Sequence, residues 1–322
     1  MKKKNKKYLI TFFVVLGLIC SYTICQTLLI NSRKEQSVVE KEKRYIKNQA
    51  KERVMDTINL TLSYFTEVDT TSYQEYAYEE DLEYDKLTRN QKVIYDSMLM
   101  NVLDFKYFKY EASKVGYDTL DDVLVSFGAL KTDHPELEIY FTIKEIIKDD
   151  KTLGLESVYF MPFDKENLKA DDIVKLKEEV KIFEEEVNLI ISNMPSNLSV
   201  YDKYRYLATY ISLRTTYDYD LENGNQISNI YGAIDSKNSI CEGYAKAFKY
   251  LCKRANLWCK LVSGKVGDTS HMWNLVKVND KYYHVDITFA DSNDQAPNTD
   301  NWYKYFMVEE EKILETHVKS VN

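Results

Sequence analysis

Two rhythms organise the hydrophobic positions of this 322-residue chain. Over most of it apolar residues recur every three or four positions, the spacing of one face of an α-helix. In a few short stretches they alternate, as on one face of a β-strand. The first rhythm predicts helices over 90–105, 120–130, 169–194, 200–215 and 241–255. In the fourth of these Tyr204, Leu207, Ala208, Ile211 and Leu213 make the inward face; in the fifth Tyr244, Ala245, Phe248, Leu251, Cys252 and Ala255 do so. The second rhythm predicts strands over 137–147 and 153–160, which are rich in β-branched and aromatic residues. It also predicts a hairpin over 271–288 that turns at Asn279-Asp280.

The first ninety residues follow neither rhythm cleanly. Lys2, Lys3, Lys4, Lys6 and Lys7 precede an apolar run from Tyr8 to about Ile30. A helix of that length rises about 30 Å, the thickness of a bilayer core. The lysines stay on the cytoplasmic side, which puts the body of the chain outside. A cleaved signal peptide is the alternative, because the strongly apolar part ends near Cys20. Tyr22, Thr23 and Ile24 make a poor cleavage site, and Ile19 and Ile24 stand where lipidation of the following cysteine needs a small residue. Both alternatives export the body. From 33 to 64, sparse apolar positions at Val39, Ile46, Ala50, Val54 and Ile58 predict a solvated stalk helix. From 67 to 87, Glu67, Asp69, Glu75, Glu79, Glu80, Asp81, Glu83 and Asp85 face one lysine. Such a run repels itself and predicts an extended linker. The expected organisation is an anchor at 1–30, a stalk helix at 31–66, an acidic linker at 67–87, an accessory α/β region at 88–165 and a main domain at 166–322.

Composition narrows the function classes. Hydrophobic residues at 44% and charged residues at 29% are ordinary for a globular protein, and 9 Gly with 4 Pro exclude long low-complexity stretches. The formal charge of -8 leaves -13 on the chain after its five N-terminal lysines, so nucleic acid is not an expected partner. Five cysteines without a C-x-x-C pair disfavour a zinc ribbon or a thioredoxin-type motif, and they are too few for a disulfide framework at this length. Cys252 and Cys259 are read as two buried thiols, with a bridge between them outside the cell as the alternative. The run Asp291-Ser292-Asn293-Asp294 has no Gly at the sixth place and Trp302 at the twelfth, so it is a surface loop and not a calcium-binding one. No phosphate-cradling glycine loop is present, and no cofactor or metal is expected.

The chemistry is concentrated between Ser239 and Asp291. Ser239 followed three residues later by Glu242 predicts a capping box, which places Cys241 in the first turn of its helix. Free N–H groups and the helix dipole stabilise a negative sulfur there, and the same groups can hold a developing oxyanion. A two-residue turn at Asn279-Asp280 pairs Val278 with Lys281. Counting back, Trp273 lies opposite Asp286, and His271 lies diagonal to it. His271, Trp273, Leu275, His284 and Asp286 then share one face; Met272, Val276, Val278, Val285 and Ile287 share the apolar other. A diagonal pair sits about 7–8 Å apart at Cα, within reach of a His–Asp hydrogen bond. Thiol, imidazole and carboxylate together supply a nucleophile, a base and an orienting group. His284 competes with His271 for the base, but it sits on the strand of Asp286 itself and points away along it. Trp273, Glu242 and Tyr231 are candidate substrate-binding residues. His134, beside Pro135, is read as structural.

The order Tyr231-Gly232-Ala233, Cys241-Glu242-Gly243-Tyr244-Ala245, Val262-Ser263-Gly264, His271-Met272-Trp273-Asn274 and Tyr283-His284-Val285-Asp286-Ile287-Thr288 resembles the transglutaminase-like superfamily, particularly its exported bacterial members. The match is close from about 204 to 291. Asp133-His134-Pro135-Glu136 is similar to a segment that often precedes this core, and Phe289 stands where relatives usually have Trp. The resemblance implies a papain-like α+β fold, a cysteine-bearing helix packed on an antiparallel sheet. It also implies Cys241 as nucleophile, His271 as base and Asp286 as the acid behind it. The implied activity is acyl transfer from a protein or peptide carboxamide through a thioester to an amine or water. A cysteine peptidase or amidase of the same fold, and a non-catalytic cell-surface binding module, are the alternatives.

Overall fold

The computed structural model describes residues 47–49, 51–65, 82–105, 120–139, 142–148, 152–159, 169–221, 227–292 and 296–320. The chain divides into two compact units, Met1–Arg53 and Val54–Asn322. In the first unit only 47–49 and 51–53 are described, and they are helical. The expected anchor at 1–30 lies outside the described residues. Among the described residues no helix is long and apolar enough to cross a membrane. The single boundary falls inside the helix expected as a stalk, and the second unit holds both the 88–165 region and the 166–322 region.

Most of the expected acidic linker also lies outside the described residues, but its end, from 82, is folded and not extended. Glu83 and Tyr84 each donate a backbone N–H to the carboxylate of Asp133, at 2.8 and 3.0 Å. Asp133 is buried and also accepts from the Tyr95 hydroxyl. A buried carboxylate needs donors, and here the linker's backbone provides two of them.

The second unit is helical from 54 to 62 and closes that segment with a 3-10 turn, Ser63–Phe65; Val54, Ile58 and Phe65 are buried, so this part of the expected stalk is packed and not solvated. Helix α1 (Arg89–Leu103) comes next, started by a capping box between Thr88 and Gln91. Helix α2 (Leu120–Asp133) packs on it. Strands β1 (Thr142–Lys148) and β2 (Thr152–Tyr159) form an antiparallel hairpin. The start of the strand expected from 137 is instead part of a 3-10 turn, Pro135–Ile139. Helices α3 (Ala170–Ser192) and α4 (Val200–Arg214) follow as expected. Two short strands, β3 (Thr216–Tyr217) and β4 (Asn238–Ser239), pair in parallel just before helix α5 (Cys241–Arg254).

Strands β5 (Cys259–Val266), β6 (Thr269–Val278) and β7 (Lys281–Val285) form an antiparallel meander. After β7 come helix α6 (Ile287–Ala290), strand β8 (Phe306–Val308), helix α7 (Glu310–Ile313) and strand β9 (His317–Lys319). The sheet order is β8-β7-β6-β5-β9. The β6–β7 turn places Asn279 and Asp280 at φ of 50° and 61° and pairs Val278 with Lys281. Both are left-handed positions that Asn and Asp tolerate, as a two-residue hairpin requires.

Helix α5 is the pivot of the core. Tyr244, Phe248, Leu251 and Cys252 on it are buried, as are Val276 and Val285 of the sheet. Asn274 of β6 donates to the Ala245 carbonyl at 2.9 Å, which fixes helix against sheet through a buried polar contact. The opposite side of α5 is held by charge: Lys246 bonds Glu138, while Lys249 and Lys253 donate to the carbonyls of Thr132 and Asp133 at the end of α2. Cations at a helix C-terminus meet its partial negative charge. The upstream region therefore braces the helix that starts at Cys241.

Candidate active site

The start of α5 is clamped differently from the expected capping box. Its N-cap is Ile240, with no side-chain capping bond. The Ser239 hydroxyl instead donates to the Ile227 carbonyl at 2.7 Å, and the Ile240 N–H donates to the same carbonyl at 3.0 Å. Glu242 reaches forward to Lys246 at 2.6 Å and not back to the cap. Position 243 admits only glycine, because a Cβ there would lie 2.0 Å from Ser239 Oγ and 2.6 Å from the Ile227 carbonyl. Cys241 is the first residue of the helix, as expected, and it is partly accessible.

His271 and Asp286 meet as the hairpin argument required, with one difference. Strand β7 ends at Val285, and Asp286 leaves the ladder to become the N-cap of α6, where its Oδ1 accepts from the Phe289 N–H at 3.2 Å. Its Oδ2 lies 2.7 Å from Nε2 of His271. The carboxylate is 1% exposed. An acceptor-only oxygen at this distance needs a proton on the imidazole nitrogen, so Nε2 carries the hydrogen of this bond. Burial pulls the His271 pKa down, but hydrogen bonds to Asp286 and to Cys241 outweigh it and raise the value to about 9. Burial pushes the Asp286 carboxyl up; the hydrogen bonds from His271 and His317 outweigh that and hold it below its ordinary value. The site thus favours imidazolium against carboxylate, with the thiol within reach of the ring.

The face of the hairpin that carries His271 is a packed aromatic cluster and not a polar surface. The rings of His271 and Trp273 stack at 5.8 Å, and Phe289 meets His271 edge-on at 5.1 Å. Trp273, read from the sequence as either a groove residue or a core residue, is 1% exposed and packs over Gly264. Tyr231, another groove candidate, stacks on Phe183 at 6.0 Å. Glu242 is committed to Lys246. His134 accepts its structural reading, with Nδ1 at 2.9 Å from Glu136. Cys252 is buried as expected, whereas Cys259 is only half-buried; both are free thiols.

Two residues absent from the expected site lie in it. Tyr217 of β3 is carried beside the start of α5 by its pairing with Ser239. Burial raises its phenol pKa, and the charges of Cys241 and Asp286 raise it further. His317 of β9 places Nε2 2.8 Å from the same Asp286 oxygen that His271 uses. The chain has four histidines, so a histidine in its last alternating stretch was the only available signal.

Residues 191–287 match the model of the Transglutaminase-like superfamily. No curated protein sequence matches the chain. Among solved structures, the "Crystal structure of a TGase" aligns at 13% identity and a TM-score of 0.30, over 50% of this chain and 46% of that one. The "Putative Cysteine Protease from Cytophaga hutchinsonii" aligns at 12% identity and a TM-score of 0.30, over 56% of this chain and 65% of that one. The chain spans less than two thirds of the length of either structure. The matched residues 191–287 include Cys241, His271 and Asp286, so the segment that carries them is the one similar to the transglutaminase-like superfamily.

Proposed function

We propose that this protein is an exported, membrane-anchored cysteine enzyme that transfers the acyl group of a protein or peptide carboxamide through a thioester on Cys241. The observation that supports this best is the 2.7 Å contact between His271 Nε2 and Asp286 Oδ2. The export and the anchor rest on the N-terminal lysines and the apolar run behind them.

The Cys241 thiolate attacks the carboxamide carbon. The C–N bond of the tetrahedral adduct breaks, and ammonia or an amine leaves with the proton that His271 gives up. An incoming amine or water loses its proton to His271, attacks the thioester and releases the thiolate. Asp286 holds the imidazole in one tautomer and offsets its charge throughout. The first-turn N–H groups of α5, which no N-cap side chain occupies, are donors for the oxyanion of both adducts. No step needs a cofactor.

Incubation of the full chain with a glutamine-containing protein and a tagged primary amine tests the proposal. Incorporation that is lost in Cys241→Ala identifies a transferase. Ammonia release or cleavage without incorporation, lost in the same variant, identifies a hydrolase. A Cys241 that reacts with a dilute alkylating agent no faster than a free thiol, with no change in His271→Ala, removes the enzymatic reading and leaves a binding module.

A further inference from the structure

The carboxylate behind His271 is shared. Asp286 Oδ2 lies 2.7 Å from His271 Nε2 and 2.8 Å from His317 Nε2, and Oδ1 accepts from the Phe289 N–H. We infer that His317 is a positioning residue of this site, whose Nε2–H holds the Asp286 carboxylate turned toward His271. The inference rests on the proposed role of Cys241, His271 and Asp286.

A carboxylate with 1% exposure has no water to fall back on, so its orientation is set by its donors. The Phe289 N–H fixes Oδ1 at the start of α6. His317 comes from the far edge of the sheet, on β9, and approaches Oδ2 from another side. It is itself 1% exposed and held on the other nitrogen, where Nδ1 lies 2.8 Å from the Thr316 hydroxyl. Its ring is fixed edge-on against Trp273 at 4.9 Å and against Phe289 at 5.3 Å. Without this donor, one bond to His271 and one to a backbone N–H must keep a buried charge in place, and the carboxyl takes up a proton more readily. A protonated or rotated Asp286 no longer orients His271. Among the described residues, the other titratable groups facing the trio are Cys241 from α5, Tyr217 from β3 and Tyr305, just before β8, whose ring lies 6.3 Å from that of His317. Beyond Trp273 lie His284, Glu310 and Lys319.

The same three side chains have their ligand atoms within 4.8 Å of one another, a spacing a metal ion can use. The two N–O distances of 2.7 and 2.8 Å instead fit hydrogen bonds. Ligand atoms around a tetrahedral zinc sit about 3.3 Å apart, given bonds of about 2.0–2.1 Å. The proton-bridged arrangement is therefore the one these side chains adopt.

The test follows two quantities in the full chain. One is the rate of Cys241 alkylation against pH, read on its own peptide. The other is the titration of the Asp286 carboxyl carbon by NMR. In His317→Phe the acid limb of the alkylation profile rises by about one pH unit and the rate near neutrality falls about tenfold, while the Asp286 titration moves up with it. His317→Gln, whose amide nitrogen reaches the Nε2 position, restores both. His317→Asn, which is polar but too short to reach it, restores neither. The inference is overturned if Phe leaves the acid limb and the Asp286 titration in place, or if Gln behaves like Phe. It is also overturned if the purified protein holds stoichiometric metal that His317→Phe removes. Should Cys241 prove unresponsive to His271→Ala, the proposed function fails, but the Asp286 titration still reads the His317 contact on its own.

Discussion

The indole N–H of Trp273 donates to Nδ1 of His284 at 2.9 Å, and this bond separates the roles of the two hairpin histidines. With Nδ1 accepting, the His284 proton sits on Nε2, which points toward Glu310 at 3.6 Å. Burial lowers the His284 pKa, and the positive charge of Lys319 lowers it further. His284 therefore serves the packing of Trp273, whereas His271, stacked on the same indole, is the ring that meets Asp286. His284→Ala leaves the indole N–H without an acceptor in the core, and the expected cost is about 1–3 kcal/mol of stability. The Cys241 alkylation rate of the folded variant should stay within about threefold of wild type. His271→Ala should lower that rate by tenfold or more, on the order of 1.4 kcal/mol or above. Denaturant titrations and rates of Cys241 alkylation check the pair.

The direction of the two pKa shifts sets an expected pH dependence of stability. His271 is raised from an ordinary 6.5 to about 9, so its contribution is fully present below about pH 6.5 and is lost as pH rises through 9. Asp286 is lowered, so its contribution is present above its ordinary value near 3.8 and is lost as pH falls through the depressed one. The unfolding free energy from urea titrations should hold between about pH 4 and 6.5 and fall toward pH 9, by an amount on the order of 3 kcal/mol. His271→Asn should flatten the alkaline fall while leaving the acid side dominated by the other carboxylates. An alkaline slope that His271→Asn does not change would show that the ring is not the group responsible.

How much of the site was legible depends on how local its determinants are. The hairpin register is fixed by a two-residue turn and by alternation, both of which are read directly from residues 271–288. The helix start at Cys241 was legible for the wrong reason: Ser239 and Glu242 suggest a capping box, but the Ile227 carbonyl of a preceding loop takes the Ser239 hydroxyl, and Lys246, one turn further along the same helix, takes Glu242. His317 was not legible, because it reaches Asp286 from β9, which pairs with β5 and not with the hairpin strand that precedes it in the order of the meander. The folded end of the acidic stretch was hidden for a similar reason. Charge repulsion along 67–87 predicts extension, yet a single distant carboxylate, Asp133, captures two of its backbone N–H groups.

Lys246 shows what the upstream region contributes. Its ammonium is 3% exposed and lies between Glu138 and Glu242, and Glu138 is also paired with Lys131 at 2.7 Å. Removing one member of a buried pair leaves the other charge uncompensated, which costs about 3–5 kcal/mol, whereas replacing both by apolar groups costs much less. Lys246→Met should therefore destabilise the protein strongly, and Glu138→Leu added to it should recover more than half of the loss. Because Lys131 retains part of the Glu138 interaction, the single-variant loss should fall at the lower end of that range. A double-mutant cycle by urea unfolding measures the coupling.

Gly264 gives the sharpest steric expectation. A Cβ at this position would lie 2.1 Å from the Val318 carbonyl oxygen and 2.7 Å from the Trp273 ring. The carbonyl cannot step aside without opening the pairing of β5 with β9, in which Lys265 faces Val318 and Val266 faces His317. Trp273 cannot step aside without releasing His284 and unstacking from His271. Either adjustment disturbs the surroundings of Asp286. Gly264→Ala should therefore cost about 2–4 kcal/mol, at or beyond the upper part of the range for overpacking. It should also slow Cys241 alkylation in the folded state. Gly128, on α2 with nothing within 4 Å of its would-be Cβ, is the matching control. Gly128→Ala should stabilise the protein by about 0.5–1 kcal/mol through helix propensity alone and leave the thiol rate unchanged. Equal effects of the two substitutions in the same denaturant titration would mean that β9 is not pressed against β5 as the packing at Gly264 requires.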